Sequence, residues 1–177
     1  HKPDRRQRQM CIRDRPLSMK NSLFFTLVIL TGLSLAAAEP QKPNVIVIMA
    51  DDLGYGDLSC YGTESFETPY IDQLATEGVR FTSGYCSAST CTPTRWSFLT
   101  GTYAFREKNT GIAAPSSPLR VNHEITCIGD MFKTAGYSTA IIGKWHLGLG
   151  GEDGPDWNGE LKPGPLEIGF DLSLIHI

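Results

Sequence analysis

The segment Ser89-Thr90-Cys91-Thr92-Pro93-Thr94-Arg95-Trp96-Ser97-Phe98-Leu99-Thr100-Gly101 sets a cysteine among small hydroxyl residues, with a proline and an arginine at fixed distances after it. A buried structural cysteine does not need that company; a cysteine made for chemistry or modification does. Pro93 fixes a backbone angle and suits the first turn of a helix. Arg95, four residues beyond Cys91, then returns to the same face, and the helix start offers free N–H groups to an anion. The plain alternative is an ordinary helix start with Cys91 near the cap. A second cluster is Asp51-Asp52. Adjacent carboxylates repel unless a cation stands beside them, and a hard divalent cation with oxygen ligands, Ca²⁺ or Mg²⁺, resolves the repulsion. A solvated turn with bends at Gly54 and Gly56 is the competing reading. The third is Lys144-Trp145-His146, whose charged residues share one face if the segment is extended. Alone, the pair reads equally as a snorkelling lysine and a satisfied histidine. No role is assigned to His123.

The elements that must position these residues follow from hydrophobic patterning. Asn44 to Ala50, NVIVIMA, is a continuous apolar run and predicts a parallel strand buried on both faces, ending at Asp51-Asp52. Thr68-Pro69 predicts a helix start, with Ile71, Leu74 and Ala75 on one face and Gly78 as the stop. Val79-Arg80-Phe81 suits a short strand. Ile125, Ile128, Phe132 and Ala135 recur at helical spacing up to Gly136, a C-cap signal. Tyr137 to Ile142 predicts a second buried strand, followed at once by Gly143-Lys144-Trp145-His146. Alternating strands and helices imply an α/β fold with a mainly parallel central sheet flanked by helices. The polar clusters follow the C-terminal ends of strands, where open α/β sheets collect ligands. After Leu147 the chain is rich in Gly and Pro and reads as loop.

The 177 residues carry a formal net charge of −3, with 41% hydrophobic and 10% aromatic content, which is ordinary for a globular domain. With no long charge run, no nucleic-acid partner is indicated. Two stretches are read as non-native. Met10 to Arg15, MCIRDR, and Leu172 to Ile177, LSLIHI, are encoded by one DNA stretch and its reverse complement, the mark of a translated sequencing adapter. Residues 1–18 and 172–177, with His176 among them, are therefore left out of the fold reading. The natural start is then Met19. Lys20, the apolar run Leu23 to Leu35 and Ala36-Ala37-Ala38 form the three parts of a signal peptide over residues 19–38. The apolar run is too short for a stable membrane anchor, which needs about 20 residues. An exported protein is expected, periplasmic or extracellular. Of five cysteines, Cys11 lies in the adapter-like stretch. Cys60, Cys86, Cys91 and Cys127 fit no zinc spacing. A Cys60–Cys86 bridge stays open, and Cys127 reads as a small core residue.

Cys91-Thr92-Pro93-Thr94-Arg95, continued to Leu99-Thr100-Gly101, resembles the first signature of the type I sulfatase family. Gly136 to His146, GYSTAIIGKWH, resembles its second, and Pro43 to Asp57, PNVIVIMADDLGYGD, its opening strand and metal motif. The three occur in the family's order, and residues 39–171 correspond to the N-terminal part of its catalytic domain. The resemblance implies an alkaline-phosphatase-like fold and sulfate-ester hydrolysis. It implies that a formylglycine-generating or sulfatase-maturating enzyme, reading C-x-P-x-R, oxidises Cys91 to formylglycine. The hydrated aldehyde attacks sulfur through one hydroxyl, and the second hydroxyl lets sulfate leave by C–O cleavage. Asp51 and Asp52 would hold Ca²⁺, with Mg²⁺ the alternative, beside the Cys91-derived group. Arg95 would stabilise that group, Lys144 would bind a sulfate oxygen, and His146 would take a proton.

The family's remaining metal ligands and its further His and Lys lie later in its chain, so the 177 residues by themselves are expected to be inactive. The substrate is a sulfated small molecule or carbohydrate, with carbohydrate preferred. Two alternatives remain. Relatives of this kind also hydrolyse phosphonates or phosphodiesters. A non-catalytic sulfated-glycan binder would lose Cys91 or Arg95, and both are present.

Overall fold

The computed structural model describes residues 41–176. The expected signal peptide and the read-through before it lie outside the described residues. Two compact units divide the chain, one ending at Ile48 and one running from Met49. In the described part of the first, the predicted strand is not formed. Residues 41–50 have no regular structure, and Val45, Ile46, Val47 and Ile48 are all more than half exposed. An apolar run becomes a strand only when a neighbour takes up its N–H and C=O groups. Among the described residues, none does so for residues 44–50.

The second unit contains helices α1 (Pro69–Glu77), α2 (Cys91–Thr100) and α3 (Ile128–Thr134) and strands β1 (Ala140–Lys144) and β2 (Leu172–His176). The strands pair in parallel, from Ala140 opposite Leu172 to Lys144 opposite His176. The parallel pair with helices has the α/β character expected. The segment left out of the fold reading as adapter-like thus forms β2.

Local signals placed the helix ends. Proline at the first position starts α1 and Gly78 caps it. Gly101, at φ 67°, closes α2, its N–H donating to the Ser97 carbonyl. At the start of α3 the Cys127 N–H donates to Asp130 Oδ2, and at its end the Tyr137 N–H donates to the Phe132 carbonyl past the left-handed Gly136. Three expectations need correction. Val79-Arg80-Phe81 forms no strand. The predicted apolar face of α1 is not covered, Ile71 and Leu74 being 42% and 66% exposed. β1 begins at Ala140, not Tyr137, and is largely exposed, with Ile142 71% accessible. Each sequence pattern had marked a surface able to be buried, and burial needs a partner that none of the described elements supplies.

The core gathers where partners exist. Trp96 and Leu99 from α2 pack with Val121, Cys127, Leu147, Leu149, Ile168 and Phe170. Residues 117–120 run beside 147–150: the Arg120 N–H donates to the Leu147 carbonyl at 2.8 Å and the Leu149 N–H to the Ser117 carbonyl at 3.1 Å. Gly148, at φ 72°, is required in this contact, because a Cβ there would overlap the Pro118 carbonyl. These backbone bonds anchor the chain directly after His146. No helix among the described residues is long and apolar enough to cross a membrane. Cys60, Cys86, Cys91 and Cys127 are free thiols, so the Cys60–Cys86 bridge is not formed.

Candidate active site

Helix α2 begins at Cys91, half-buried and free. Two of the four residues that follow, Thr92 and Arg95, anchor this helix start to the end of β1 and the segment after it. Arg95 Nη1 donates to the Lys144 carbonyl at 2.7 Å, and Thr92 Oγ1 donates to the His146 carbonyl at 2.8 Å. One helical turn therefore holds the backbone on both sides of Trp145, itself buried in the core. The Cys91 helix start and the Lys144–His146 pair, about fifty residues apart in sequence, are thus one place in the fold.

Asp51 joins them from the other motif. Lys144 Nζ donates to Asp51 Oδ2 at 2.6 Å, and Arg95 Nη2 lies 3.5 Å from Asp51 Oδ1. The Lys144 hydrogen bond, with both cations nearby, lowers the Asp51 pKa despite partial desolvation. The same bond raises that of Lys144, and the Cys91 sulfur adds to the rise, which places the thiol within electrostatic reach of the ammonium. Asp52 adopts φ 59°, a left-handed conformation uncommon for a residue with a Cβ. Its carboxylate makes no hydrogen bond or ion pair among the described residues.

His146 is the other left-handed residue of the site, at φ 54°. Its Nε2 lies 3.0 Å from the Ala113 carbonyl oxygen. A carbonyl can only accept, so in the neutral ring Nε2 carries the hydrogen and Nδ1 is left as the acceptor. That Nδ1 is buried without a partner, as is Arg95 Nε. Buried polar atoms are satisfied as a rule. Among the described residues Arg120 Nε is buried without a partner in the same way.

Asp51 and Asp52 offer hard oxygen donors, the right chemistry for Ca²⁺ or Mg²⁺. By count they make only part of a cation site. Among the described residues no group of three or more His, Cys, Asp or Glu side chains could hold a metal, and Asp51 already faces two cationic side chains. The residues fit as two members of an oxygen ligand set.

A cavity of about 490 Å³ opens beside the site, lined by Lys144, Trp145, His146, Pro115, Leu149 and Trp157. Trp157 is 52% exposed. Sequence reasoning missed three contributors: Thr92, the Ala113 backbone and Trp157. A large aromatic in a Gly/Pro-rich polar loop was the available signal for Trp157. Backbone contacts such as those of Ala113 leave no sequence signal.

Comparison with known proteins places the chain in a family. The sulfatase family model matches residues 43–170. An N-acetylgalactosamine-6-O-sulfatase of Bacteroides thetaiotaomicron is 51% identical over 135 residues, 76% of this chain and 26% of that protein. Human arylsulfatase A is 44% identical over 128 residues, 72% of this chain and 25% of that protein. A solved structure from work on the metabolism of multiple glycosaminoglycans by Bacteroides thetaiotaomicron superposes with a TM-score of 0.75 at 51% identity. It covers 77% of this chain and 28% of its own. The chain thus spans about a quarter of the length of the relatives it matches. Since the family model takes in most of the described residues and all three motifs, the chain belongs to the sulfatase family.

Proposed function

We propose that this chain carries the nucleophile and the anion-binding half of a sulfatase site, acting on sulfate esters of carbohydrates in an exported enzyme. The observation that carries the reading is the convergence of three distant motifs on the start of α2: Asp51 on Lys144 and Arg95, and His146 held by Thr92. Structural packing alone does not require a lysine, an arginine and an aspartate beside an unpaired cysteine.

Oxidised by a formylglycine-generating enzyme and hydrated, Cys91 supplies a hydroxyl nucleophile on a carbon that can revert to an aldehyde. Asp51 and Asp52 would hold Ca²⁺, or Mg²⁺, whose charge polarises a sulfate oxygen. The remaining work belongs to the chain's own side chains. Lys144, a lining residue of the cavity that is bonded to Asp51, would meet a sulfate oxygen as a point charge. Arg95, 14% exposed at the side chain, orients the modified residue four positions before it, with its Nε free to donate. His146, whose Nδ1 is left as the ring's acceptor, would take a proton when sulfate departs.

A sulfated sugar is favoured over a small aryl sulfate. The cavity is largely apolar-walled, and its exposed Trp157 offers a flat face to a ring substrate. The N-acetylgalactosamine-6-O-sulfatase relative points the same way. Residues 19–38, read as a signal peptide, carry the proposal of export.

The test is a chimera in which residues 43–170 replace the matching quarter of the Bacteroides thetaiotaomicron N-acetylgalactosamine-6-O-sulfatase, produced with a formylglycine-generating enzyme. Hydrolysis of 6-sulfated N-acetylgalactosamine that disappears with Cys91→Ala supports the reading. A folded chimera with converted Cys91 that leaves sulfate esters intact, or prefers the matching phosphate esters, overturns it.

A further inference from the structure

Thr92 is the fully buried residue between the nucleophile and Pro93, at 0% exposure. Its hydroxyl donates to the His146 carbonyl at 2.8 Å and accepts from the Ala113 N–H at 3.0 Å. The His146 ring, through Nε2, reaches the Ala113 carbonyl at 3.0 Å. These three bonds close a circuit: the backbone of His146 is tied to Thr92, Thr92 to the N–H of Ala113, and the carbonyl of Ala113 to the ring of His146.

We propose that Thr92 is a positioning residue that fixes both the backbone and the ring tautomer of His146. Two physical features support the assignment. His146 sits in a left-handed conformation that a non-glycine residue keeps only where its surroundings over-determine it. Thr92 on its carbonyl, with Arg95 on the carbonyl of Lys144, supplies that constraint from one turn of helix. The tautomer follows from the second half of the circuit. Holding the Ala113 N–H on the Thr92 hydroxyl aims the Ala113 carbonyl at Nε2, which must then carry the hydrogen. Nδ1 is left bare by construction. The side chain also suits the place: a valine would fill it equally well but could serve neither the donor nor the acceptor side.

The catalytic meaning of this device rests on the role of His146 proposed above, but the device is measured without turnover. In the full chain, the ring nitrogens of His146 are followed by ¹⁵N NMR, assigned through His146→Asn, and amide exchange is followed at Ala113. The wild type is expected in the Nε2–H form. Thr92→Val should give a mixture of tautomers and about tenfold faster exchange at Ala113; Thr92→Ser, which keeps the hydroxyl, should behave as wild type. A wild-type ring protonated at Nδ1 overturns the proposal, as does a folded Thr92→Val chain unchanged in both readouts. So does a serine variant as perturbed as the valine. If Thr92→Val fails to fold, Thr92→Ala against Thr92→Ser decides, since both lose the methyl and only serine keeps the hydroxyl; equal behaviour overturns the proposal. In the chimera, Thr92→Val should lower kcat with KM nearly unchanged, and Thr92→Ser should restore it. If the chimera hydrolyses no sulfate ester at all while the NMR result holds, the sulfatase reading fails and the positioning of His146 stands.

Discussion

Lys144 Nζ lies 2.6 Å from Asp51 Oδ2, joining residues 93 positions apart in the chain. Both side chains are more than a third exposed, so the pair adds little to folding stability. Its consequence is chemical. The pairing keeps the Lys144 ammonium charged and the Asp51 carboxylate ionised, and Lys144 is among the residues that line the cavity. Lys144→Ala in the chimera should therefore lower kcat/KM about 100-fold while leaving the melting temperature nearly unchanged. Lys144→Arg should recover only part of the loss, because a planar fork does not reproduce a compact point charge. Steady-state kinetics beside differential scanning calorimetry separates the two effects.

Asp72 offers a pH dependence away from the site. Its carboxylate accepts from Ser59 Oγ at 2.5 Å, from the Cys60 N–H at 2.8 Å and from Thr68 Oγ1 at 2.9 Å. These bonds, that of Ser59 foremost, lower its pKa below the ordinary 3.8. A lowered native value means that the unfolded chain binds the proton more readily. The contribution is complete above 3.8 and is lost as pH falls through the lower native value. Thermal melts from pH 6 to 2 should show the loss in the wild type, and Asp72→Asn should flatten it. Equal slopes would remove Asp72 as the cause.

The helix stops at Gly78 and Gly136 were legible because each depends on a few adjacent residues. The clustering of Asp51, Cys91, Arg95, Lys144 and His146 was legible through motif resemblance, and the structure brings Asp51, Arg95 and Lys144 into contact. What periodicity could not say is whether an apolar surface has a partner. NVIVIMA has the pattern of a buried strand, yet Ile46 and Ile48 are about 85% exposed. Thr92 escaped notice for a different reason. A hydroxyl that bonds a carbonyl 54 residues away leaves no mark in composition or spacing.

The cysteines should separate by reactivity. Burial pushes the Cys127 thiol up to about 11, with Asp130 adding to the shift, and the residue is 1% exposed. Little reactive thiolate is present at pH 8. Cys86 is exposed. Iodoacetamide applied to the folded chain at pH 8 should label Cys86 within minutes and leave Cys127 unlabelled until denaturant is added, as read by peptide mass. Early labelling of Cys127 would mean that the core around Ile168 and Phe170 opens readily.

Gly148→Ala should be among the most damaging single-methyl additions in the chain. The position combines φ 72° with a Cβ that would overlap the Pro118 carbonyl. Relief requires moving 147–150 away from 117–120 and breaking their backbone bonds. A loss of about 2 kcal/mol or more is expected, measured by urea denaturation. A loss of a few tenths would mean that this loop pairing is easily remodelled.

Trp157 tests the substrate class. It shares a cavity wall with Lys144 and His146 yet leaves half its surface open, an unfavourable arrangement for an indole with no ring to cover. A sugar bearing the sulfate presents C–H groups to such a face, whereas its charged group goes to Lys144. The indole acts on the remote part of the substrate, so its binding energy is common to the ground and transition states and should appear in KM. Trp157→Ala in the chimera is expected to raise KM for 6-sulfated N-acetylgalactosamine about tenfold with kcat nearly constant, the scale of one aromatic contact. A small aryl sulfate, with less to lay against the wall, should lose less, and Trp157→Phe should recover most of the affinity for the sugar. Equal losses on both substrates, or a fall in kcat alone, would show that Trp157 shapes the loop and not the substrate's place in the cavity.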